Sequence, residues 1–499
     1  MLTPLFRSTS EQAAEQRLAW ATYAADLTSP VRLFLALRGR GHRPCLMESV
    51  EGPARLVRYT FIGVDPSASF RGGVLGHRLR WRGEERELRG SLIEALRQTL
   101  ALDRPTSPTA ELPPFCGGWV GWFAYEWSCE LEKRVPRAKV DRWQVPDATL
   151  ERYDEVVALD HAAQKVYVIT AAPHGKADHV AAHARIEALA RDAFSTPGVS
   201  RPVALDGEPS VGLEPAEYRA AVESMRDAIR QGEIFQGVPS QRFEQPFNGD
   251  LFTLYRVLRL TNASPHMFFF EADGLTLVGS SPERLVSVRD GKVENKPIAG
   301  TRPRGANPQA DQRLAQELLD SEKECAEHDM LVDLARNDLG RVAKVGTVQV
   351  REHRVIERFA RVQHIVSRVD CELAEDKDAL DALVACFPAG TVTGAPKVRA
   401  QELIATIESE TRGPYSGAFG YLDASGNLDM ALTIRTFAAR DGVLSVQAGA
   451  GVVFDSDPEA ERLETIQKAQ ALFDAARLIR SPAFRNIEEK SDDSTSRQL

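Results

Sequence analysis

The chain is poor in cysteine: six in 499 residues, at Cys45, Cys116, Cys129, Cys325, Cys371 and Cys386, with no Cys-x-x-Cys pair and no zinc-ligand spacing. A disulfide scaffold and a structural zinc site are therefore not expected, and free thiols in a reducing compartment are. Long apolar runs are also missing. None approaches the roughly 20 residues of a membrane span, and Met1 to Glu11 is broken by Arg7 and Glu11, so the reading is a cytosolic protein without a membrane partner. Nor is there an excess of positive charge. A net charge of −9 and a pI near 5.7 leave no basic surface to neutralise phosphates, which argues against nucleic acid but not against a small anionic substrate met by a few local cations. A glycine-rich dinucleotide fingerprint and a regular βα alternation are absent too, which disfavours a Rossmann fold or a parallel barrel.

What is present is an ordinary globular composition, 43% apolar and 27% charged, in a chain long enough for a large core. Pro, Gly, Ser and Asp crowd between Ser195 and Gly212 and read as a linker. The stretch from about Asn486 lacks apolar residues and reads as a disordered tail, 486–499. Pro215 opens a helix in which Tyr218, Val222, Met225 and Ile229 recur at helical spacing, and Gly232 ends it. Short apolar stretches, His266 to Phe270, Leu275 to Val278 and Ala431 to Ile434, are bounded by turn residues and read as strands. Helices and strands mix irregularly, as in an α+β fold. The segment from Pro113 to Glu126, rich in aromatics and glycine, reads as structural, its glycines letting packed strands approach closely.

The chemistry concentrates in the second half. Pro388-Ala-Gly-Thr-Val-Thr-Gly-Ala-Pro-Lys397-Val-Arg399 sets a small-residue turn, two hydroxyls and a cation ahead of an apolar helix, a pattern able to bring backbone close to a ligand and to hold an anion. On its own it could equally be a capped strand-to-helix turn. Glu324 and Glu327 precede Leu331 and Leu334 on one helical stripe. Glu461, Glu464 and Lys468 line a second helix after Gly449-Ala450-Gly451. Two glutamate-bearing helices could clamp one hard cation, and Mg²⁺ suits a site with few carboxylates and open positions. Taken singly, each pair would read as solvated charge. His364 sits among β-branched residues, where a satisfied core histidine is the commoner fate. Glu283 stands beside Arg284 after a strand, as a surface ion pair would. Arg435 follows an apolar strand and needs a carboxylate, which a substrate could supply.

These segments, with Pro297-Ile-Ala-Gly-Thr301, Tyr415-Ser-Gly-Ala-Phe-Gly-Tyr421 and Gln447-Ala-Gly-Ala-Gly451, resemble the chorismate-utilising enzymes, most closely the large components of anthranilate synthases. Leu46-Met-Glu-Ser49 and Arg58-Tyr-Thr-Phe-Ile-Gly63 extend the resemblance towards the N-terminus. It implies large antiparallel sheets forming a sandwich with helices packed outside. It also implies a regulatory N-terminal region, 1–200, intertwined with a chorismate-binding catalytic region, 213–482. The activity implied is conversion of chorismate and ammonia to anthranilate and pyruvate, the first committed step of tryptophan biosynthesis. Glu327 and Glu464 would hold Mg²⁺ beside Glu324 and Glu461, and Glu283 would protonate the departing 4-hydroxyl. His364 would serve the later elimination of pyruvate. Arg435, Tyr415 and the backbone at Gly449, Ala450 and Gly451 would meet the enolpyruvyl carboxylate, and Gly300, Thr301, Thr391 and Lys468 would complete the cradle. Tryptophan would inhibit through Glu48 and Ser49 together with Pro265, His266 and Met267, although His266 stands where the family commonly has tyrosine. Gly237, where valine is usual, and Gln467, where asparagine is usual, are milder departures.

Gln236 occupies the place of the lysine base of the water-using isochorismate and salicylate synthases, and Ala299 that of the lysine of aminodeoxychorismate synthases. Ammonia is therefore the expected nucleophile. No cysteine lies in a nucleophile elbow, so a separate glutamine amidotransferase subunit is expected, in a heterotetramer of two large and two small subunits. Aminodeoxychorismate or aminodeoxyisochorismate synthesis is the alternative within enzymes. A silent tryptophan-binding regulator is disfavoured because Glu327 and Glu464 are present.

Overall fold

The computed structural model describes residues 6–9, 17–50, 58–102, 111–172, 176–198, 202–359 and 362–480; the tail expected at 486–499 lies outside them. The described strands form a 13-stranded sheet and a 12-stranded sheet, paired antiparallel throughout, plus one two-stranded ribbon. Strands from both ends of the chain enter each large sheet. In the first, Cys45–Glu48 pairs with His266–Ala272 in the register Met267↔Glu48. In the second, Gly118–Phe123 pairs with Ala418–Asp423 in the register Gly121↔Gly420. A Cβ on Gly121 would sit 1.9 Å from the Thr149 carbonyl oxygen, and one on Gly420 1.9 Å from that of Asp429. The structural reading of Pro113 to Glu126 follows from this contact, since only glycine admits so close an approach.

The sandwich with helices outside is realised as three apolar layers. Leu18, Trp20, Met47, Trp122, Phe268, Phe270 and Phe419 fill the space between the sheets, where the rings of Phe268 and Phe419 stack 4.0 Å apart. Burying each such ring contributes about 1.5–3 kcal/mol. The outer face of the first sheet is covered by helices that include Pro30–Gly39, Phe252–Thr261 and Pro458–Arg477. That of the second is covered by Leu92–Leu100, Glu322–Gly340 and Ala379–Cys386. Strand alternation decides the layer: Phe268 and Phe270 face inwards between the sheets, while Met267 and Phe269 face the helices.

The helix opened by Pro215 runs to Arg230, with a Glu214/Glu217 capping box and with Tyr218, Val222 and Met225 buried. Gly232 follows at a φ of 75°, which favours glycine at the chain reversal. Two of the expected strands appear as His266–Ala272 and Leu275–Ser281, whereas of Ala431 to Ile434 only the first two residues are strand, the end of Leu428–Leu432. Within the expected linker, Ala204–Leu205 and Ser210–Val211 add short edge pairings to Ser240–Asn248. Among the described residues no helix is long and apolar enough to cross a membrane.

Candidate active site

Glu283 lies in the turn between strands Leu275–Ser281 and Arg284–Arg289, and its carboxylate accepts a hydrogen bond of 2.8 Å from Thr391 Oγ1. Thr391 belongs to the short helical turn Gly390–Thr393, which is drawn so tightly against the helix Glu322–Gly340 that a Cβ on Gly390 would stand 1.9 Å from Leu334. Burial pushes the Glu283 carboxyl up to about 7, against the opposing pull of the Thr391 hydroxyl and of Arg435. Arg435 is held at a φ of 48°, an uncommon conformation for a long side chain. Protein surrounds it, lowering its proton affinity, yet it remains accessible to solvent, as a cation in the wall of an open cleft would be.

His364 lies on the central strand Val362–Glu372 with Thr301 directly opposite on Ile298–Pro303. Its Nδ1 is 3.0 Å from the Gly300 carbonyl and 3.1 Å from Thr301 Oγ1. A carbonyl can only accept, so Nδ1 carries the proton in the neutral ring and Nε2 keeps its lone pair. Burial lowers the proton affinity of the imidazole. Thr301, Gly300, His364, Arg435, Glu283 and Thr391, widely separated in sequence, thus meet around one region. Tyr415 lies beside Gly449, whose added Cβ would stand 3.0 Å from the Tyr415 hydroxyl. Gly451 is flanked by Gln236 at a similar distance, 2.8 Å from its Nε2.

The two glutamate helices face each other. The one spanning Glu322–Gly340 is capped by Ser321, and the one spanning Pro458–Arg477 by Asp457, which accepts from the backbone of Glu459 and Ala460 at 3.1 and 2.8 Å. Burial raises the pKa of Glu327 against the pull of Lys323, and Glu324, Glu461 and Glu464 raise it further. Carboxylates that repel one another across two helices are oxygen donors of the kind a hard divalent cation neutralises. No three of the described His, Cys, Asp or Glu side chains are already gathered as a ligand cluster. Three of the four carboxylates instead have their own cations: Glu464 meets Lys468 at 2.7 Å, Glu324 meets Arg302 at 3.1 Å and Glu327 meets Lys323 at 3.9 Å. Lys468 also donates to the Gly449 carbonyl at 2.9 Å.

Lys397, the cation of the segment opened by Pro388, donates to Asp338 at 2.7 Å and to the Cys386 carbonyl at 3.2 Å, both groups being largely buried. Its charge therefore fastens the Pro388–Lys397 segment to the end of the glutamate helix. Sequence reasoning missed the residue beneath Tyr415. Arg412, 1% exposed, donates to Glu408, to the carbonyls of Val392 and Val238 and to Ser416, and lies 4.6 Å over the Tyr125 ring. Only its spacing of four from Glu408 was visible as a signal.

The residues expected to bind tryptophan come together in part. Glu48 and Met267 are register partners and share the helix-facing side, but His266 falls on the opposite side, near Asp429, Arg284 and Lys296. There burial lowers its pKa to about 4. Glu48 is engaged by Tyr255, by Arg259 at 2.6 Å and by Thr60 at 3.3 Å, whereas the buried Ser49 hydroxyl makes no hydrogen bond among the described residues. Pro265 is buried where that strand begins.

Residues 45–474 match the chorismate binding enzymes, and the chain belongs to that family. Within it, the chain is similar to anthranilate synthase component 1 of Cereibacter sphaeroides, 43% identical over 480 residues that cover 93% of this chain and 95% of the relative. It is 40% identical over 465 residues to the component 1 of Aquifex aeolicus, covering 90% and 92%. Among solved structures, anthranilate synthase component I from Streptococcus pneumoniae aligns with a TM-score of 0.72 at 34% identity, covering 83% of this chain and 92% of that one. The menaquinone-specific isochorismate synthase from Escherichia coli, at 18% identity and a TM-score of 0.68, shares the fold.

Proposed function

We infer that the chain is the large component of an anthranilate synthase, converting chorismate and ammonia to anthranilate, pyruvate and water. The observation that carries this reading is the convergence of Glu283, Thr391 and Arg435 with His364 and Thr301, in a chain whose relatives at 40–43% identity bear that name. A carboxyl raised to about 7 is substantially protonated at neutral pH, so Glu283 can give its proton to the departing 4-hydroxyl, which leaves as water when ammonia adds to the ring. The neutral His364, with Nε2 bare, is suited to take the ring proton as pyruvate leaves and the ring becomes aromatic. Arg435 supplies the fixed positive charge that a substrate carboxylate requires.

Glu327 and Glu464, with Glu324 and Glu461 beside them, are the residues that would hold Mg²⁺. When bound, the ion supplies positive charge to bind a substrate carboxylate and to draw electron density from the ring. The chain's own residues then have to exchange partners, Lys468 releasing Glu464 and remaining on the Gly449 carbonyl.

Ammonia comes from a separate glutaminase in this reading. Burial pushes the thiols of Cys45 and Cys386 up to about 12 and those of Cys129 and Cys371 up to about 11, and none of these is a nucleophile at neutral pH. Tryptophan inhibits through the segment of Glu48 and Ser49 in this reading, where the Ser49 hydroxyl makes no hydrogen bond among the described residues. Purified chain supplied with chorismate, Mg²⁺ and an ammonium salt above pH 8 should release anthranilate, and with glutamine alone it should not. Accumulation of an aminated, non-aromatic product would instead identify an aminodeoxychorismate or aminodeoxyisochorismate synthase.

A further inference from the structure

His364 is the middle member of a row across three strands, with Thr301 opposite it on one side and Glu357, from Gln349–Arg358, opposite it on the other. Directly opposed residues in an antiparallel ladder share a face, with their Cβ atoms about 5 Å apart. Glu357 is itself gripped by Lys296, whose Nζ donates to both carboxylate oxygens at 2.7 Å. The two side chains are only 7% and 11% exposed.

We propose that Lys296 and Glu357 are positioning residues for His364: the lysine holds and neutralises the carboxylate so that the imidazole stays neutral, with its Nδ1 proton on Gly300 and Nε2 bare. A buried carboxylate left unpaired beside an imidazole is relieved most readily by protonating that imidazole, which would fill Nε2 and end its use as a base. The other groups facing the ring do not substitute for Lys296. Arg435 disfavours the imidazolium from the cleft side but is open to solvent and stands ready for substrate. Thr301 is neutral, the Phe359 ring packs edge-on at 5.6 Å, and Glu324 on the neighbouring helix is taken by Arg302 at 3.1 Å. Burial depresses the His364 proton affinity and Glu357 opposes this, so the balance depends on how far Glu357 is neutralised.

The assignment of a base role to His364 rests on the anthranilate synthase reading, but its proton affinity can be measured without turnover. The test is NMR titration of chain carrying ¹³C-labelled histidine, with the His364 signal identified by its loss in His364→Asn. Lys296→Met should raise the His364 midpoint by at least one pH unit, a tenfold change in proton affinity. Glu357→Gln should lower it, and Lys296→Met combined with Glu357→Gln should cancel the rise. Lys296→Arg, which keeps the pair, should leave the midpoint in place. Anthranilate formation by Lys296→Met should show its acid limb displaced upwards, whereas a merely structural defect would scale the rate at every pH. Midpoints within about 0.3 pH unit of wild type in both Lys296→Met and Glu357→Gln would overturn the proposal. If Lys296→Met does not fold, an unchanged midpoint in Glu357→Gln suffices to overturn it. A shifted midpoint with no anthranilate formed would leave the pair intact and sink the functional reading instead.

Discussion

Replacing Glu283 by glutamine separates a catalytic acid from a merely buried carboxyl. The amide keeps the size and can still accept from Thr391 Oγ1, now 2.8 Å from the carboxylate, so the turn should hold. It cannot release a proton. Loss of a positioned acid costs about 10²–10⁴-fold in rate, and the same loss is expected in formation of the aminated intermediate. Stability should move the other way. The Glu283 carboxyl is raised from 4.5 to about 7, so in the wild type its burial costs nothing below pH 4, costs progressively more as the pH climbs from 4.5 to 7, and reaches its full value above that. That difference sets an upper bound of about 3 kcal/mol in favour of the variant above pH 8, and nothing at pH 4. The wild-type rate, expressed per free ammonia, should fall above pH 7, leaving about one hundredth of the acid form at pH 9. Denaturant unfolding at pH 5 and 8 and stopped-flow turnover across the range measure both effects. A fall of less than tenfold with chemistry rate-limiting, or a rate per free ammonia that does not decline above pH 7, would refute the role of Glu283.

Glu464→Gln should abolish Mg²⁺-dependent turnover while leaving the melting temperature within a few degrees of wild type, because Glu464 is half exposed; retained activity with unchanged metal dependence would remove it from the site. Lys397→Met should destabilise the chain by about 3–5 kcal/mol by stranding Asp338 in a buried setting. A loss under 1 kcal/mol by denaturant unfolding would show that water or another cation reaches that carboxylate. Ser49→Arg should raise the tryptophan concentration that half-inhibits the enzyme assayed with its glutaminase and leave uninhibited turnover nearly unchanged. A wild type indifferent to millimolar tryptophan would end the regulatory reading.

The fold was legible wherever a local rule operated. Pro215 and Gly232 bracket a helix because proline suits a helix start and glycine tolerates the positive φ that ends one, and both constraints are contained within a few residues. The candidate site was legible as residue types: Glu283, Thr301, His364, Thr391 and Arg435 were picked out by their motifs, and the fold brings Thr391 to Glu283 and Thr301 to His364. What those motifs did not contain was direction. The sequence showed Lys397 only as a cation ahead of a helix, because its partner, Asp338, lies 59 residues earlier on another helix. His266 was grouped with Met267 as a neighbour in sequence, although the period of two along a strand sends them to opposite faces. Alternation with Phe268 and Phe270 was the available signal.

By itself, then, the amino-acid order determined the α+β class, the boundaries of the strongly capped helices and the residue types of the site, because capping, turn chemistry and periodicity act over a few residues. Tertiary structure alone decided that Cys45–Glu48 joins His266–Ala272, that Lys296 grips Glu357 and Thr301 lies opposite His364, and that Arg412 reaches the carbonyls of Val392 and Val238 and the Tyr125 ring. These contacts join segments tens to hundreds of residues apart, and only burial of the apolar faces of two sheets in one sandwich brings them within reach.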